Sequence, residues 1–297
     1  MRRRNGQWRC RPALRIAALP PNVVAMRDDA ILSELQRTRG VARLGLRGRD
    51  GRIVPDGLFQ QGSARAILPK VPGAPEVVFL NTSGGLTGGD RLSYGLRLGE
   101  GVAACATTQT AERAYRSTGD VAEVSVRFDV GAGAWLDWLP QETILFDAAR
   151  LHRRTETRMD EAARGCLALE CVVLGRAAMG ETVRRLEFRD RREIWQGEKR
   201  IFADPVSVED ATLGAEPAGL GGARAFASLV LVEEGAGEAV EPVRRMLDEP
   251  GVRAAVSALP GRLVLRALAV DGWPLRRMRA RVLIHLRGRP LPRVWQM

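Results

Sequence analysis

Apolar and polar positions alternate along most of this chain. The cleanest stretch covers residues 121–130, where Val124, Val126, Phe128 and Val130 fall on one face of an extended backbone and Glu123, Ser125, Arg127 and Asp129 on the other. That pattern predicts a half-buried strand. Shorter runs over residues 76–80, 91–98, 102–108, 134–139, 153–160, 167–174, 182–188 and 226–232 predict more strands, separated by turn residues or irregular stretches. Val41, Leu44 and Leu46 lead into Asp50-Gly51, a dipeptide suited to a two-residue hairpin turn. The period changes only near the C-terminus. Val243, Met246 and Leu247 stand at helical spacing within residues 239–249, and Leu275, Met278, Val282 and Leu286 follow Pro274 at the same spacing up to Gly288. Between them, residues 262–270 predict a strand that is apolar on both faces and therefore buried on both. The expected fold is mainly β, with about two helices near the C-terminus.

The strongest local signal is Asn81-Thr-Ser-Gly-Gly-Leu-Thr-Gly-Gly-Asp90, with glycines at Gly84, Gly85, Gly88 and Gly89. Paired glycines ask for positive φ or for close approach of another group. Phosphate binding fails on its own chemistry. A phosphate loop needs Lys and Ser/Thr after its last glycine, whereas Gly89 is followed by Asp90, and a strand rather than a helix comes next. A structural turn or bulge is the simpler reading.

Composition narrows the function classes. The 297 residues are 45% apolar, enough for a substantial core, and no run of about 18 uncharged apolar residues would span a membrane. Residues 1–37 form a basic leader expected to be disordered, with Met26 as an alternative start; residues 38–297 are expected to form one β domain whose helix-containing part covers about 239–288. The leader has no continuous apolar segment of an export signal, so a cytoplasmic location is expected. A net charge of +11 would favour a nucleic-acid partner, but lysine occurs only at Lys70 and Lys199. The arginines are dispersed between strands and aromatics are scarce, so neither a basic helix nor a stacking platform emerges. An acidic protein partner explains the charge equally well.

Four cysteines at irregular spacing form neither a disulfide framework nor a zinc motif. Cys166 and Cys171 stand at an odd spacing within one strand, which places them on opposite faces as buried thiols. The two histidines, His152 and His285, are far apart, and no nucleophile-elbow motif occurs, so no catalytic constellation is predicted. Carboxylates interrupt apolar segments at Asp90, Asp137, Glu142, Asp147, Glu170 and Glu181. Each must pair with an arginine, face solvent or line a polar cavity. Oxygen ligands of this kind would hold a divalent ion weakly and briefly. A hydrolase-like β domain using two of these carboxylates and a basic nucleic-acid-binding β protein are the competing readings.

Four segments together resemble the UreD (UreH) urease accessory protein family: Asn81 to Asp90 above, Thr107-Thr-Gln-Thr-Ala-Glu-Arg-Ala-Tyr-Arg-Ser117, Trp138-Leu-Pro-Gln-Glu-Thr-Ile-Leu-Phe-Asp147 and Leu174-Gly-Arg-Ala-Ala-Met-Gly-Glu181. The resemblance implies a stacked-strand, β-helix-like or sandwich architecture with a pair of helices, and a non-catalytic scaffold for urease maturation. It implies a UreF-type accessory protein, a UreG-type GTPase reached through it, and urease apoprotein as partners, with neither nucleic acid nor membrane among them. No cofactor is expected to be tightly bound, and nickel would be in transit, with Asp90, Glu142, Glu170 and Glu181 as candidates to line its path. The glycines of the first motif, Gln109, Tyr115 and Arg116 of the second, Pro140 and Gln141 of the third, and Gly175, Arg176 and Gly180 of the fourth are the candidate structural and interaction positions.

Overall fold

Asp50 and Gly51 both take positive φ, 51° and 71°, the turn geometry that matches strand twist, and they join β1 (Arg39–Arg49) to β2 (Arg52–Gly62). The computed structural model describes residues 37–214, 216 and 219–295, so the expected leader lies outside the described residues apart from its last position. β3 (Ala64–Ile67) and β4 (Glu76–Asn81) pair antiparallel in a second sheet. The chain then winds between the two sheets. β5 (Arg91–Leu98) joins the first, β6 (Ala103–Thr108) the second, and short β7 (Glu112–Ala114) follows. β8 (Ala122–Val130) returns to the first sheet, β9 (Trp135–Trp138) and β10 (Thr143–Leu145) belong to the second, β11 (Ala149–Met159) to the first, and β12 (Gly165–Leu174) to the second. β13 (Leu186–Gln196) and β14 (Lys199–Glu209) complete the first sheet; β15 (Ala225–Val232), β16 (Val252–Leu259) and β17 (Arg262–Ala269) complete the second.

The result is a seven-stranded sheet in the order β14-β13-β11-β8-β5-β1-β2 and a ten-stranded sheet in which β16-β17-β15-β12-β9-β6-β4-β3 are joined by β10 and β7. Strands β5, β8, β11 and β13 pair in parallel in the first sheet, and β4, β6, β9 and β12 do so in the second. Parallel pairing of strands that alternate between two sheets is the winding of a β-helix. The mainly β, stacked-strand expectation therefore holds.

Two cores follow from the alternation. The inward faces of both sheets meet around Phe79, Tyr94, Phe128 and Trp138, with ring centroids 4.7 Å apart for Phe79 and Tyr94 and 5.0 Å for Phe128 and Trp138. The far face of the ten-stranded sheet packs Leu167, Leu169 and Leu265 against Leu275, Met278 and Val282 of a helix, α2 (Gly272–Arg287). Cys166 and Cys171 on β12 divide between these cores, as the odd spacing requires. α2 begins where the Asp271 side chain accepts from Trp273 N at 3.1 Å and ends at Gly288 with φ 58°.

Three expectations are corrected. The earlier helix, α1 (Val240–Arg244), is shorter than residues 239–249, because the chain leaves helical geometry to place the Glu249 carboxylate between Arg277 and Arg281 of α2. β17 is fully buried on one face only: Val264 and Leu268 are half-buried, while Arg266 and Val270 reach solvent. The strand expected over residues 182–188 begins only at Leu186, since Arg184 N and Arg185 N are held by Asp147 Oδ1 at 2.9 and 3.0 Å.

Asp137, 1% exposed, ties the two layers of the second core by accepting from Trp135 Nε1, Arg287 Nε at 2.8 Å and Arg289 Nη2 at 2.6 Å. Replacing it strands a buried guanidinium. Asp137→Ala is expected to cost about 3–5 kcal/mol, read from the urea unfolding midpoint at constant m-value.

Candidate functional site

The four sequence motifs meet at one end of the winding. Leu86 of the glycine loop bridges Ala114: its N–H donates to Arg113 O at 2.7 Å and its carbonyl accepts from Tyr115 N at 2.7 Å. β7 pairs in parallel with β10, β10 pairs with the end of β12, and Gly175 N donates to Leu145 O at 2.8 Å. Segments far apart in sequence thus form successive rungs. Glycine is required at two rungs by contact: a Cβ on Gly85 would fall 2.3 Å from the Tyr115 ring, and one on Gly88 would fall 2.1 Å from Ser117 Oγ.

Side chains lock these rungs together. Tyr115 donates to Gly84 O at 3.2 Å and meets Phe146 edge-on, with centroids 4.9 Å apart. The Arg176 guanidinium lies 4.8 Å over the Phe146 ring and donates to Glu181 Oε2 at 2.9 Å, while Glu181 Oε1 accepts from Asp147 N. The arginine and the backbone donors around Glu181 outweigh its desolvation and hold its carboxyl below the usual range. Gly180 closes the short helical turn before Glu181 with φ 67°. Asp90 is buried and accepts from Thr38 N at 2.7 Å and Thr87 N at 2.8 Å, which makes it the clasp of the glycine loop. Gln109, Tyr115, Arg116, Arg176 and Met179 are exposed here, Met179 at 73%.

A second polar assembly lies between the sheets. Arg153 projects inward from β11 and binds Asp190 of β13 through Nε at 3.0 Å and Nη2 at 2.7 Å. Its Nη1 reaches Glu170 Oε2 of the opposite sheet at 2.8 Å and Thr143 Oγ1 at 3.0 Å, and Trp138 Nε1 donates to Glu170 Oε1 at 2.9 Å. Arg192 continues the run to Asp204, which Ser228 Oγ and Arg266 also contact. Of these groups, Arg153, Glu170, Asp190, Arg192, Ser228 and Arg266 line a cavity of about 530 Å³. Burial lowers the affinity of Arg153 for its proton, but the charges of Asp190 and Glu170 more than reverse this; burial also pushes Glu170 up despite Arg153.

Glu142, next to Thr143, carries the run to the helix layer. Desolvation raises its carboxyl, but contacts with Arg279 and Arg276 prevail and hold it low. Both arginines lie over Trp295, at 5.0 and 5.3 Å from its ring centroid, and the buried Gln141 beside them accepts from Arg276 Nη1 and donates to Val294 O. Pro140 is buried at the start of this segment.

Of the four carboxylates singled out for an ion path, Glu142 and Glu170 belong to this run, while Asp90 and Glu181 belong to the motif end. Among the described residues no group of three or more His, Cys, Asp or Glu side chains is placed to hold a metal ion. His152 is half exposed and contacts Glu187 at 2.8 Å, and His285 is exposed on α2. Asp190, Arg192 and Asp204 were missed by sequence reasoning. The signal was there for two of them: Leu186, Phe188 and Ile194 share the inward face of β13 at period two, and that phase places Asp190 and Arg192 on the same face.

A sequence model of the family described as UreD urease accessory protein matches residues 38–296. The chain belongs to the UreD family. A urease accessory protein UreD of Cereibacter sphaeroides is 58% identical over 265 residues, covering 88% of this chain and 96% of the relative. Those of Paracoccus denitrificans and Rhizobium etli are 53% and 43% identical, covering 91% and 88% of this chain and 96% of each relative. Membership in the UreD family makes the chain an accessory protein rather than an enzyme. No helix among its described residues is long and apolar enough to cross a membrane.

The motif end also holds a carboxyl poised to titrate. Desolvation pushes Glu112 up to about 7, against hydrogen bonds from Arg113 N and Asn81 Nδ2. The folded state binds this proton more tightly than the unfolded state, so ionising Glu112 lowers stability as pH rises from about 4.3 to 7. A Glu112 carboxyl carbon shift with its midpoint near neutral pH is expected by NMR. Glu112→Gln should raise the melting temperature more at pH 8 than at pH 4.

Proposed function

We propose that this chain is a scaffold of urease maturation. It holds a UreF-type accessory protein and, through it, a UreG-type GTPase against urease apoprotein in the cytoplasm, and nickel in transit passes through its interior. Family membership supports the accessory part of this reading. The observation that carries the interior route is the buried polar run in which Asp204, Asp190, Glu170 and Glu142 succeed one another, linked by Arg192, Arg153 and Thr143, from the cavity between the sheets to the helix layer.

Nickel in this reading is cargo. Each carboxylate already faces a guanidinium, so a passing cation shares its oxygens with that arginine rather than displacing it. Oxygen donors alone bind such an ion loosely enough for it to move on. Asp90 and Glu181 are assigned here to shaping the motif end, where the exposed Tyr115, Arg116 and Met179 meet a partner. The buried free thiols Cys105, Cys166 and Cys171 fit a reducing compartment.

Co-expression with urease and its remaining accessory proteins tests the route. Glu142→Gln and Glu170→Gln are each expected to lower urease activation by roughly tenfold, the scale of one charge-assisted contact of ~1.5 kcal/mol, while co-purification is unchanged. Full activation by both variants would remove the interior route. Failure of the unchanged chain to co-purify with any urease component would remove the scaffold itself.

A further inference from the structure

The outward face of the seven-stranded sheet has a composition that neither core nor motif end explains. Its five central strands, β13, β11, β8, β5 and β1, pair in parallel, an arrangement that usually has both faces covered. Here one face packs on the core and the other presents arginines. Arg91, Arg97, Arg127, Arg154 and Arg191 have side chains 57–64% exposed, and Arg43 is exposed beside them.

This face is hollow. A trough of about 690 Å³ has Ser93, Gly95 and Ser125 along its floor and Arg43, Arg97 and Arg127 around it. Small residues on adjacent strands make the depression; a Cβ on Gly95 would sit 3.3 Å from Arg43 Cγ, so the stem of that arginine lies across the glycine. At the edge of the sheet on this face stands Phe59, 51% exposed and the cross-strand partner of Arg43. An exposed aromatic group beside arginine, with a concavity next to them, matches the anatomy of a protein interface rather than of a face built only for water.

The charge pattern selects the kind of partner. Arg97 pairs with Asp56 at 2.8 Å, Arg127 with Asp129 at 2.9 Å and Arg154 with Glu156 at 2.7 Å, so carboxylates interrupt the arginine rows. A phosphate backbone would meet those carboxylates at every step. The outward indole, Trp195, lies under Arg158 and Arg200 at 5.1 and 5.7 Å, which leaves its ring occupied rather than open to a base. Arg43 has no ion pair among the described residues and sits against the apolar edge, where an acidic group flanked by apolar side chains would satisfy both.

We propose that the outer face of the seven-stranded sheet, centred on the trough beside Arg43 and Phe59, is the docking surface for a partner protein that presents an acidic, amphipathic segment. This rests on the accessory role proposed above and adds to it the surface and the chemistry of one partner.

The test uses the full chain, purified with co-expressed urease apoprotein and, separately, with each other accessory protein. R43E/F59D is compared with the unchanged chain and with R245E/L259D, a matched pair of exposed positions away from this sheet. Reversing a charge opposite an acidic partner is expected to weaken binding to one component by at least about tenfold, at unchanged melting temperature, while R245E/L259D binds normally. That component's binding to the unchanged chain should also weaken as salt is raised. If R43E/F59D melts early, R43Q/F59S is read in its place. Binding of every component by the variant as tightly as by the unchanged chain overturns the docking face and leaves the accessory role standing. Loss of binding to random single-stranded RNA, with protein binding intact, overturns the protein occupant. If the unchanged chain binds no component, the accessory reading fails and this proposal with it.

Discussion

Arg153 is the interaction on which the arrangement of the two sheets depends. A guanidinium removed from water costs several kcal/mol unless its donors are matched, and here three neighbours contribute acceptors. Asp190 takes two of its N–H groups from the adjacent strand, Glu170 faces it from the opposite sheet, and Thr143 approaches from β10. A slip of β11 by one residue would turn Arg153 to the outer face and strand both carboxylates in the core. Apolar neighbours such as Phe128 and Phe188 tolerate small displacements; the charged layer does not.

From that layer the molecule divides by polarity. On one side the ten-stranded sheet is sealed by α2, whose arginines reach back to Glu142, Asp137 and Glu249. On the other side the seven-stranded sheet turns alternating arginines and carboxylates to solvent. The polar run between them crosses the ten-stranded sheet at β10, which is only three residues long, with Thr143 at its first rung and Glu142 just outside it. A short strand is what lets charged groups from two layers approach without a continuous wall of backbone between them.

The motif end owes its form to close approach rather than to charge. Tyr115 rests on Gly85, Ser117 on Gly88, Arg176 on Phe146 and Phe146 on Tyr115, so four segments far apart along the chain become one surface. Glycine there is a packing requirement, which explains how a loop that looks like a phosphate cradle has no phosphate chemistry.

Much of the strand pattern was legible because alternation is a local property. Residues 121–130 had to be a half-buried strand, Asp50-Gly51 had to turn, and Pro274 with Gly288 bounded the last helix. The chain also carried its family signature in four motifs. The hairpin turn implied β2, but exposure on both sides of it erases period two and hid its extent, and the edge strand β14 escaped notice because charged residues mask the alternation there. The site was legible only as a set of carboxylates. Which of them share an arginine was decided by pairing between distant strands: Glu170 meets Arg153 across the sandwich, whereas Glu181 meets Arg176 five residues away. Sequence by itself determined the period of each element and the residue types available, because those depend on neighbours along the chain. Only the tertiary structure decided which charges meet, because ion pairing acts over a few ångströms of space and not over positions in sequence.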